Sequence, residues 1–135
     1  MAHQYSVAVN NAKLDAIETT IGTSAILKIR TGSVPANCAA ADSGTVVATI
    51  NLPSDWMAAA SAASKGKLGT WTDASADAAG TGGHFRIYDS GGSTCHWQGT
   101  YTITGGGGDM TGDAVVFNAG QAFTITGFSV AAGNQ

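Results

Sequence analysis

The chain has 135 residues, a formal net charge of −3 and only 11% charged residues. This length is typical of a single domain, here residues 1–135, because a chain of this size buries roughly two thirds of its unfolded surface. The net charge and the scattered positions of the six Lys and Arg residues argue against nucleic-acid binding, which needs a concentrated positive patch, and no stretch approaches the ~20 apolar residues of a membrane-spanning helix. The first ten residues show no secretory signal, so we expect synthesis and folding in the cytoplasm.

The low content of charged residues is relevant to whether the protein surface is covered by other subunits. Charge depletion is typical of the central part of a protein–protein interface, whereas a freely diffusing protein normally keeps more charge for solubility. Composition leaves two interpretations open: a surface largely covered by neighbouring subunits, or a polar but uncharged surface rich in Thr and Ser. The two cysteines, Cys38 and Cys95, are expected to be free thiols rather than a disulfide in the cytoplasm.

Residues 6–22 form the segment with the clearest helical period. Ser6 is suited to the N-cap and Gly22 to the position after the last turn. One face carries residues spaced three or four apart: Val7, Asn10, Leu14, Ile17 and Ile21. The opposite face carries Asn11, Asp15, Glu18 and Thr19. We therefore predict an amphipathic helix that lies on an apolar surface, either its own sheet or a partner.

From residue 23 the apolar period changes to two, which predicts about seven or eight short strands up to about residue 133. In "HFRIYD", Phe85 and Ile87 are expected to point inward and His84, Arg86 and Tyr88 outward. Short strands with Gly-rich turns and no βαβ unit predict a mainly β fold, an antiparallel β-sandwich or jelly roll behind the N-terminal helix.

Three further segments carry specific expectations. Cys95 and Trp97 are expected to share one face of the strand "TCHWQGTYTI". The alanine-rich segment 54–71 suits either a helix or broken strands, and we interpret it as strands joined by a turn at "SKGK", residues 64–67. The inward parity of Phe123 and Ile125 changes before Phe128, which predicts a β-bulge at Gly127.

The stretch 83–110 concentrates residue types that carry chemistry in many enzymes, but their pattern favours a hairpin. Cys95 and His96 are adjacent on a strand and point to opposite faces, so they cannot bind one metal ion. The run "GGGGDM" lacks the Gly-Lys-Ser/Thr ending of a phosphate-binding loop. No nucleophile motif is present, and Asp89 and Asp109 lie in turns, where nothing indicates the burial that a general acid needs. We predict no catalytic, metal or cofactor site, and hence no enzyme.

Three blocks of the chain form a wider pattern: "YSVAVNNAKLDAIETTIGTSAILKIRTGSVPA", "DASADAAGTGGHFRIYDSGGSTCHWQGTYTITGGGGDM" and "AGQAFTITGFSVAAGN". Their most specific elements are "NAKLDAI", "FRIYDSGG" with "QGT", and "GFSVAAGN". The pattern spans most of the chain and resembles a family of small virion proteins encoded among the structural genes of tailed bacteriophages.

This resemblance implies a head decoration or cement protein, similar to the jelly-roll cement protein of a Bordetella podovirus. Such a protein lies on the capsid exterior after synthesis in the bacterial host cytoplasm. The implied partners are the major capsid protein and further copies of the chain, as a homodimer or homotrimer. The resemblance implies no cofactor and assigns no functional residue.

The interface is therefore predicted from residue types. The helix residues expected to cover the sandwich or a symmetry mate are Val7, Leu14, Ile17 and Ile21. Trp56 and Trp71 are expected to be interface anchors, because aromatic residues are enriched at such positions, while Trp97 is expected in the core. Two other functions stay open: a tail, collar or fibre component of the virion, and a carbohydrate-binding β-sandwich whose aromatic platform uses Tyr88, Trp71 or Trp56.

Overall fold

The computed structural model describes residues 3–132; the ends of the predicted domain, residues 1–2 and 133–135, lie outside the described residues. Within this range the protein is mainly β, with one helix, α1 (Val7–Ile21), and nine strands. In chain order the strands are β1 (Ile26–Thr31), β2 (Val46–Asn51), β3 (Ser64–Gly66), β4 (Thr72–Asp73), β5 (Gly80–Tyr88), β6 (Cys95–Ile103), β7 (Met110–Gly112), β8 (Val116–Phe117) and β9 (Phe123–Ala131). No helix in the described part of the chain is long and apolar enough to cross a membrane.

Helix α1 confirms the predicted helix and both of its ends. Ser6 is the N-cap, and its hydroxyl accepts a hydrogen bond from the backbone N–H of Val9 at 3.2 Å. Gly22 ends the helix with a φ of +95°, a conformation that favours glycine. The buried and half-buried residues of its apolar face are Asn10, Leu14, Ile17 and Ile21. Val7 is 47% exposed, so this covered face begins one turn later than predicted.

The strands pair in the order β2-β1-β5-β6-β7-β9-β3, β4 also pairs with β9 and β8 with β5, and the sheet curls around the core. Because β6 and β7 are parallel, the sheet is mixed, and the prediction of an antiparallel sheet is wrong. The segment 104–109 explains this pairing. Gly105 and Gly107 adopt φ values of +85° and +82°, which lets the chain turn back until Met110 lies beside Tyr101. Parallel neighbours usually need a dozen or more connecting residues, so the sequence pattern does not indicate this crossover.

The core lies between two parts of the curled sheet, around Phe128 on β9. The centroid of its ring lies 5.3 Å from that of Phe85 on β5, 4.7 Å from that of Trp97 and 5.7 Å from that of Trp71. Trp56 and Trp71 have no exposed surface, and their ring centroids are 6.1 Å apart. One continuous cluster of buried side chains connects α1 to the last strand.

The predicted β-bulge on β9 is confirmed, with its extra residue one position before Gly127. Thr111 on β7 pairs with Gly127, and Gly112 pairs with Ile125, so Thr126 is the extra residue between those pairs. The extra residue changes the alternation, and as a result Ile125 and Phe128 are both buried.

The second face of β1, β5 and β6 is also covered, contrary to the prediction. The side chains expected to point outward are buried: His84, Arg86 and Tyr88. The irregular segment 32–45 lies on this face. The backbone of Gly32 approaches Gly83 so closely that a Cβ there would overlap it, and its carbonyl oxygen accepts a hydrogen bond from His84 Nδ1 at 2.9 Å. Alternation identifies residues that share a face, but it does not show that an irregular segment covers that face.

A second bulge changes the orientation of Cys95. Tyr88 pairs with Cys95 and Ile87 pairs with Trp97, which leaves His96 as an extra residue on β6. Cys95 therefore lies on the face that segment 32–45 covers, whereas Trp97 packs against the core. The prediction that these two residues share one face is wrong, because the extra residue interrupts the alternation.

The segment 54–71 contains less strand than predicted. Within it, β3 pairs with β9, and Met57 forms an isolated bridge with Lys67. The turn predicted at residues 64–67 is wrong: the chain reverses at Ala62 and Ala63, whose φ values are +50° and +57°. Alanine is unusual in this conformation, so the residue types gave no signal for the turn.

Candidate functional sites

Three of the six basic side chains lie inside the molecule. Arg30, Lys65 and Arg86 have side chains that are 9%, 2% and 1% exposed, and each forms an ion pair. Because an unpaired buried charge is strongly destabilising, such cations need carboxylates within contact distance. They define two polar clusters, one under segment 32–45 and one under α1.

The arginine cluster consists of Arg30, Asp42, Arg86 and Tyr88, and it joins segment 32–45 to β1 and β5. One oxygen of Asp42 accepts hydrogen bonds from Arg86 Nη1 at 2.5 Å and the Tyr88 hydroxyl at 2.6 Å, and the other oxygen binds Arg30 Nη2 at 3.0 Å. Burial alone would raise the pKa of Asp42, but the Tyr88 hydroxyl and the two guanidinium groups outweigh it, so the pKa is lowered. Burial, and then the bond to Asp42, raise the pKa of Tyr88 to about 12. The carboxylate is therefore charged and the phenol neutral at neutral pH.

Arg86 also holds both cysteines beside this cluster. Its Nε donates to Cys95 Sγ at 3.2 Å, and its Nη2 donates to the carbonyl oxygen of Cys38 at 2.8 Å. Both cysteines are half-buried thiols, and they line an open cavity of about 530 Å³. Burial and the neighbouring Cys38 thiol raise the pKa of Cys95, against the opposing effect of Arg86. The cavity gives small molecules from solution a path to the pair of thiols.

The lysine cluster consists of Asp15, Glu18 and Lys65 and anchors α1 to β3. Lys65 Nζ lies 2.8 Å from an Asp15 oxygen and 3.4 Å from a Glu18 oxygen, and it donates to the carbonyl oxygen of Ala58 at 2.8 Å. The bond from Lys65, and then the one from the backbone N–H of Ala60, lower the pKa of Asp15. This cluster lines an open cavity of about 620 Å³, but its one cation is already bound by two carboxylates and a carbonyl oxygen.

The polar face of α1 also satisfies backbone groups of segment 56–63. Its acceptors share one helix face, since they are spaced three and four residues apart. The hydrogen bonds are Ala63 N to Asn11 Oδ1 at 2.9 Å, Ala60 N to Asp15 Oδ1 at 2.8 Å, and Trp56 N to Glu18 Oε1 at 3.2 Å. The helix therefore uses its polar face, as well as its apolar face, to hold its position on the fold.

The chain has eight Asp and one Glu, and the hydrogen bonds that the aspartates accept account for this preference. Beyond the two ion-pair clusters, five of them accept hydrogen bonds from backbone or hydroxyl groups of loops and strands: Asp73, Asp77, Asp89, Asp109 and Asp113. The short side chain of Asp is suited to such bonds with nearby backbone groups. Most acidic groups of this protein thus stabilise its fold.

Residues 83–110 contain the side chains that were considered for metal binding and acid–base catalysis. Within residues 3–132, no group of three His, Cys, Asp or Glu side chains could hold a metal ion. His84 is buried and His96 is exposed. Hydrogen bonds from the backbone N–H groups of Ser93 and Thr94 lower the pKa of Asp89. A general acid needs the opposite shift.

Three exposed apolar side chains lie at the start of α1. They are together called the N-terminal patch: Tyr5, Val7 and Val9, which are 39%, 47% and 44% exposed. Lys13 places its ammonium group 4.4 Å from the centroid of the Tyr5 ring. Farther along the helix, the exposed residues include the uncharged Ala12, Ala16 and Thr20. The outer side of α1 is therefore much poorer in charge than its bound polar face.

The structure corrects the tryptophan part of the predicted interface. Trp56 and Trp71 are fully buried, and their indole N–H groups donate to the carbonyl oxygens of Gly22 at 3.0 Å and Leu68 at 3.1 Å. They cannot be interface anchors, and neither they nor Tyr88, which is 2% exposed, can form a carbohydrate-binding platform. Trp97, expected in the core, is the half-buried tryptophan.

The four helix residues of the predicted interface differ in burial. Leu14 and Ile21 are buried against the protein's own sheet, and Ile17 packs beside them. Val7 is left exposed and belongs to the N-terminal patch. Comparison of the chain with protein-family models, curated proteins and solved structures finds no match, so its function has to be argued from these surfaces and clusters.

Proposed function

We propose that this protein is a structural virion component of a tailed bacteriophage, a decoration or cement protein that binds the outer capsid surface and stabilises contacts between capsomers. The observation that carries the proposal is the placement of charge. Three basic and three acidic side chains are ion-paired in the two clusters, which leaves three lysines and six aspartates. Five of those six aspartates hold loops and strands in place. Nine ionic side chains therefore remain outside the clusters, which is few for a chain of 135 residues and is expected of a protein that is covered by neighbouring subunits.

The N-terminal patch is the proposed docking surface. Apolar side chains that are exposed on a single chain are stabilised when an assembly removes them from water. Tyr5 combines an apolar ring with a polar hydroxyl, a combination that is favoured at interfaces. The partner is the major capsid protein, with further copies of the chain as a homodimer or homotrimer.

The proposal also includes the architecture and the location. The curled sheet is interpreted as a variant of the jelly roll of cement proteins, in which β6 and β7 depart from the antiparallel pattern. The protein is made in the bacterial host cytoplasm and is then carried on the capsid exterior. A tail, collar or fibre position is the alternative that the experiment has to separate from this one.

The test is to mix the purified chain with empty expanded capsids, to count the copies bound, and to measure the melting temperature of the capsid. We expect hundreds of copies and a higher melting temperature. The variant Val7→Asp should weaken binding at least about tenfold, because a charge in an apolar contact must be desolvated. It should leave the helix intact, since an acidic residue in the first turn is favourable.

Val116→Asp is the matched control, because Val116 is 61% exposed and lies on β8 rather than on the helix. This variant should bind like the unmodified chain. Equal binding by both variants would show that the N-terminal patch is not the docking surface. A chain that binds no capsid, or labels about a dozen sites at the collar or tail of intact particles, would refute the decoration role.

A further inference from the structure

We propose that Cys38 and Cys95 are a modification site, a dithiol that is converted by small disulfides into an intramolecular disulfide and thereby locks segment 32–45 onto the sheet. The chemistry of this site does not depend on the capsid role. Only the moment of oxidation, when the protein leaves the reducing cytoplasm, rests on the proposed function.

The first observation is that one guanidinium group holds both cysteines. Arg86 is 1% exposed, and it contacts the sulfur of Cys95 through Nε and the backbone carbonyl of Cys38 through Nη2. A rigid, planar donor with two neighbouring contacts fixes the positions of its acceptors relative to each other. The backbone of Cys38 and the sulfur of Cys95, which lie far apart in the sequence, are therefore held beside one guanidinium group, and both residues line the same cavity.

The second observation is that the site is open to reagents. Cys38 and Cys95 line a cavity of about 530 Å³, walled on the loop side by the small residues 39–41 and on the other side by Ser93 and Thr94. Because the cavity is open to solvent, one sulfur of a small disulfide can approach the thiols that line it. Buried structural cysteines, by contrast, are inert.

The third observation is the way segment 32–45 is attached. It forms no helix or strand and is held by hydrogen bonds and ion pairs, chiefly those of Arg86 and Arg30 with Asp42. A covalent bond between Cys38 and Cys95 would link this segment directly to β6. The disulfide would therefore fasten the irregular segment that covers this face of the sheet.

The reaction takes place in two exchange steps. Cys38, at the wall of the cavity, loses its proton to solvent, and its thiolate attacks one sulfur of oxidised glutathione; a mixed disulfide forms, and one glutathione thiolate leaves and takes up a proton. Cys95 then loses its proton, and its thiolate, facing Arg86 Nε, attacks the Cys38 sulfur and expels the second glutathione thiolate. The two protein thiols are oxidised to one disulfide, and one oxidised glutathione is reduced to two glutathione molecules. Burial raises the pKa of Cys95, which is consistent with its role as the second thiol rather than the first.

The experiment equilibrates the purified full chain in buffers of increasing ratio of oxidised to reduced glutathione. Remaining thiols are counted by alkylation and mass spectrometry, and the melting temperature is measured at each ratio. We expect both thiols to disappear together, with a monomeric product that has lost two hydrogen atoms. The melting temperature should rise by roughly 10 °C, because the disulfide closes a long loop, and a reductant should reverse the rise.

Two matched variants identify the steps. Cys95→Ser should accumulate a glutathione adduct on Cys38, and Cys38→Ser should accumulate much less on Cys95; neither should gain melting temperature. Thiols that stay alkylatable in oxidised glutathione would overturn the proposal. Exclusively intermolecular dimers, or a disulfide without a rise in melting temperature, would overturn it as well. No capsid enters this experiment, so its result is separate from that of the proposed function.

Discussion

Arg86 lies where β5, segment 32–45 and the two cysteines meet. Its side chain makes hydrogen bonds to Asp42, to Cys95 Sγ and to backbone carbonyl oxygens of the covering segment, among them that of Ala40 at 3.1 Å. In a strand that alternates apolar and polar residues, an arginine at a polar position is expected to lie on the surface. Here its planar group replaces the regular hydrogen bonds that an irregular segment lacks.

We expect Arg86→Leu to lower the free energy of unfolding by about 2–4 kcal/mol, because Asp42, Cys95 Sγ and backbone carbonyl oxygens of segment 32–45 lose their donor at once. Urea unfolding followed by tryptophan fluorescence measures this change. The matched control is Lys28→Leu, since Lys28 pairs with Arg86 in register on β1 but is half-exposed and has no ion pair among the described residues. This variant should change the free energy of unfolding by less than about 1 kcal/mol. Similar effects from both substitutions would mean that Arg86 does not hold the covering segment.

At the scale of elements, α1 is bound on two faces. Leu14 and Ile21 are buried on the apolar face, and Glu18 on the polar face accepts hydrogen bonds from the backbone N–H groups of Trp56 and Met57 at 3.2 and 3.4 Å. These donors belong to a segment that is mostly outside the sheet, so a side chain has to serve as their acceptor. The helix therefore anchors an irregular segment through its polar face and covers the core with its apolar face.

The variant Glu18→Ala should destabilise the fold by about 2 kcal/mol, because it leaves two backbone donors without their acceptor and removes one partner of the buried Lys65. Thermal unfolding followed by circular dichroism measures the effect. Thr20→Ala, an exposed substitution two residues farther along the same helix, controls for a change in helix propensity. If Thr20→Ala is equally destabilising, the polar face does not anchor the helix.

The elements also differ in how far the sequence predicts them. The ends of α1 and the bulge beside Gly127 depend on residues close together in the chain, and both are confirmed. Arg86 is covered by segment 32–45, which has no apolar period that would indicate its position. The face of β5 that carries Arg86 was therefore expected to be exposed. The burial of Trp56 and Trp71 likewise depends on where an irregular segment lies. Local patterns identify faces and caps, whereas the contacts of irregular segments are set by tertiary packing.

At the scale of the whole molecule, both apolar and ionic residues stabilise the fold. One continuous cluster of buried side chains extends from Ile21 to Phe128. Around it, aspartates bind backbone N–H groups and buried cations. Acid should therefore act on loops, on α1 and on segment 32–45 together, rather than on one site.

The expected pH dependence follows from three carboxyl groups whose pKa values are lowered in the folded state. Asp15 is lowered chiefly by Lys65 and Asp89 by the N–H group of Ser93, while in Asp42 the bonds from Tyr88 and the arginines overcome the effect of burial. A lowered pKa means that the unfolded chain binds protons more tightly. The resulting stability is present above the unfolded pKa of about 3.9 and is lost as the pH falls through the folded values.

We therefore expect the urea midpoint to be nearly constant between pH 7 and 5 and to fall steeply below about pH 4. Asp42→Asn and Asp89→Asn should each lower the midpoint at pH 7 and make its fall below pH 4 shallower, because an amide cannot take up the proton. Asp55→Asn is the control, since Asp55 accepts no hydrogen bond in the described part of the chain and is exposed. A midpoint that falls equally in all three variants and in the unmodified chain would contradict this account, because the loss of stability would then arise from general charge repulsion rather than from these carboxylates.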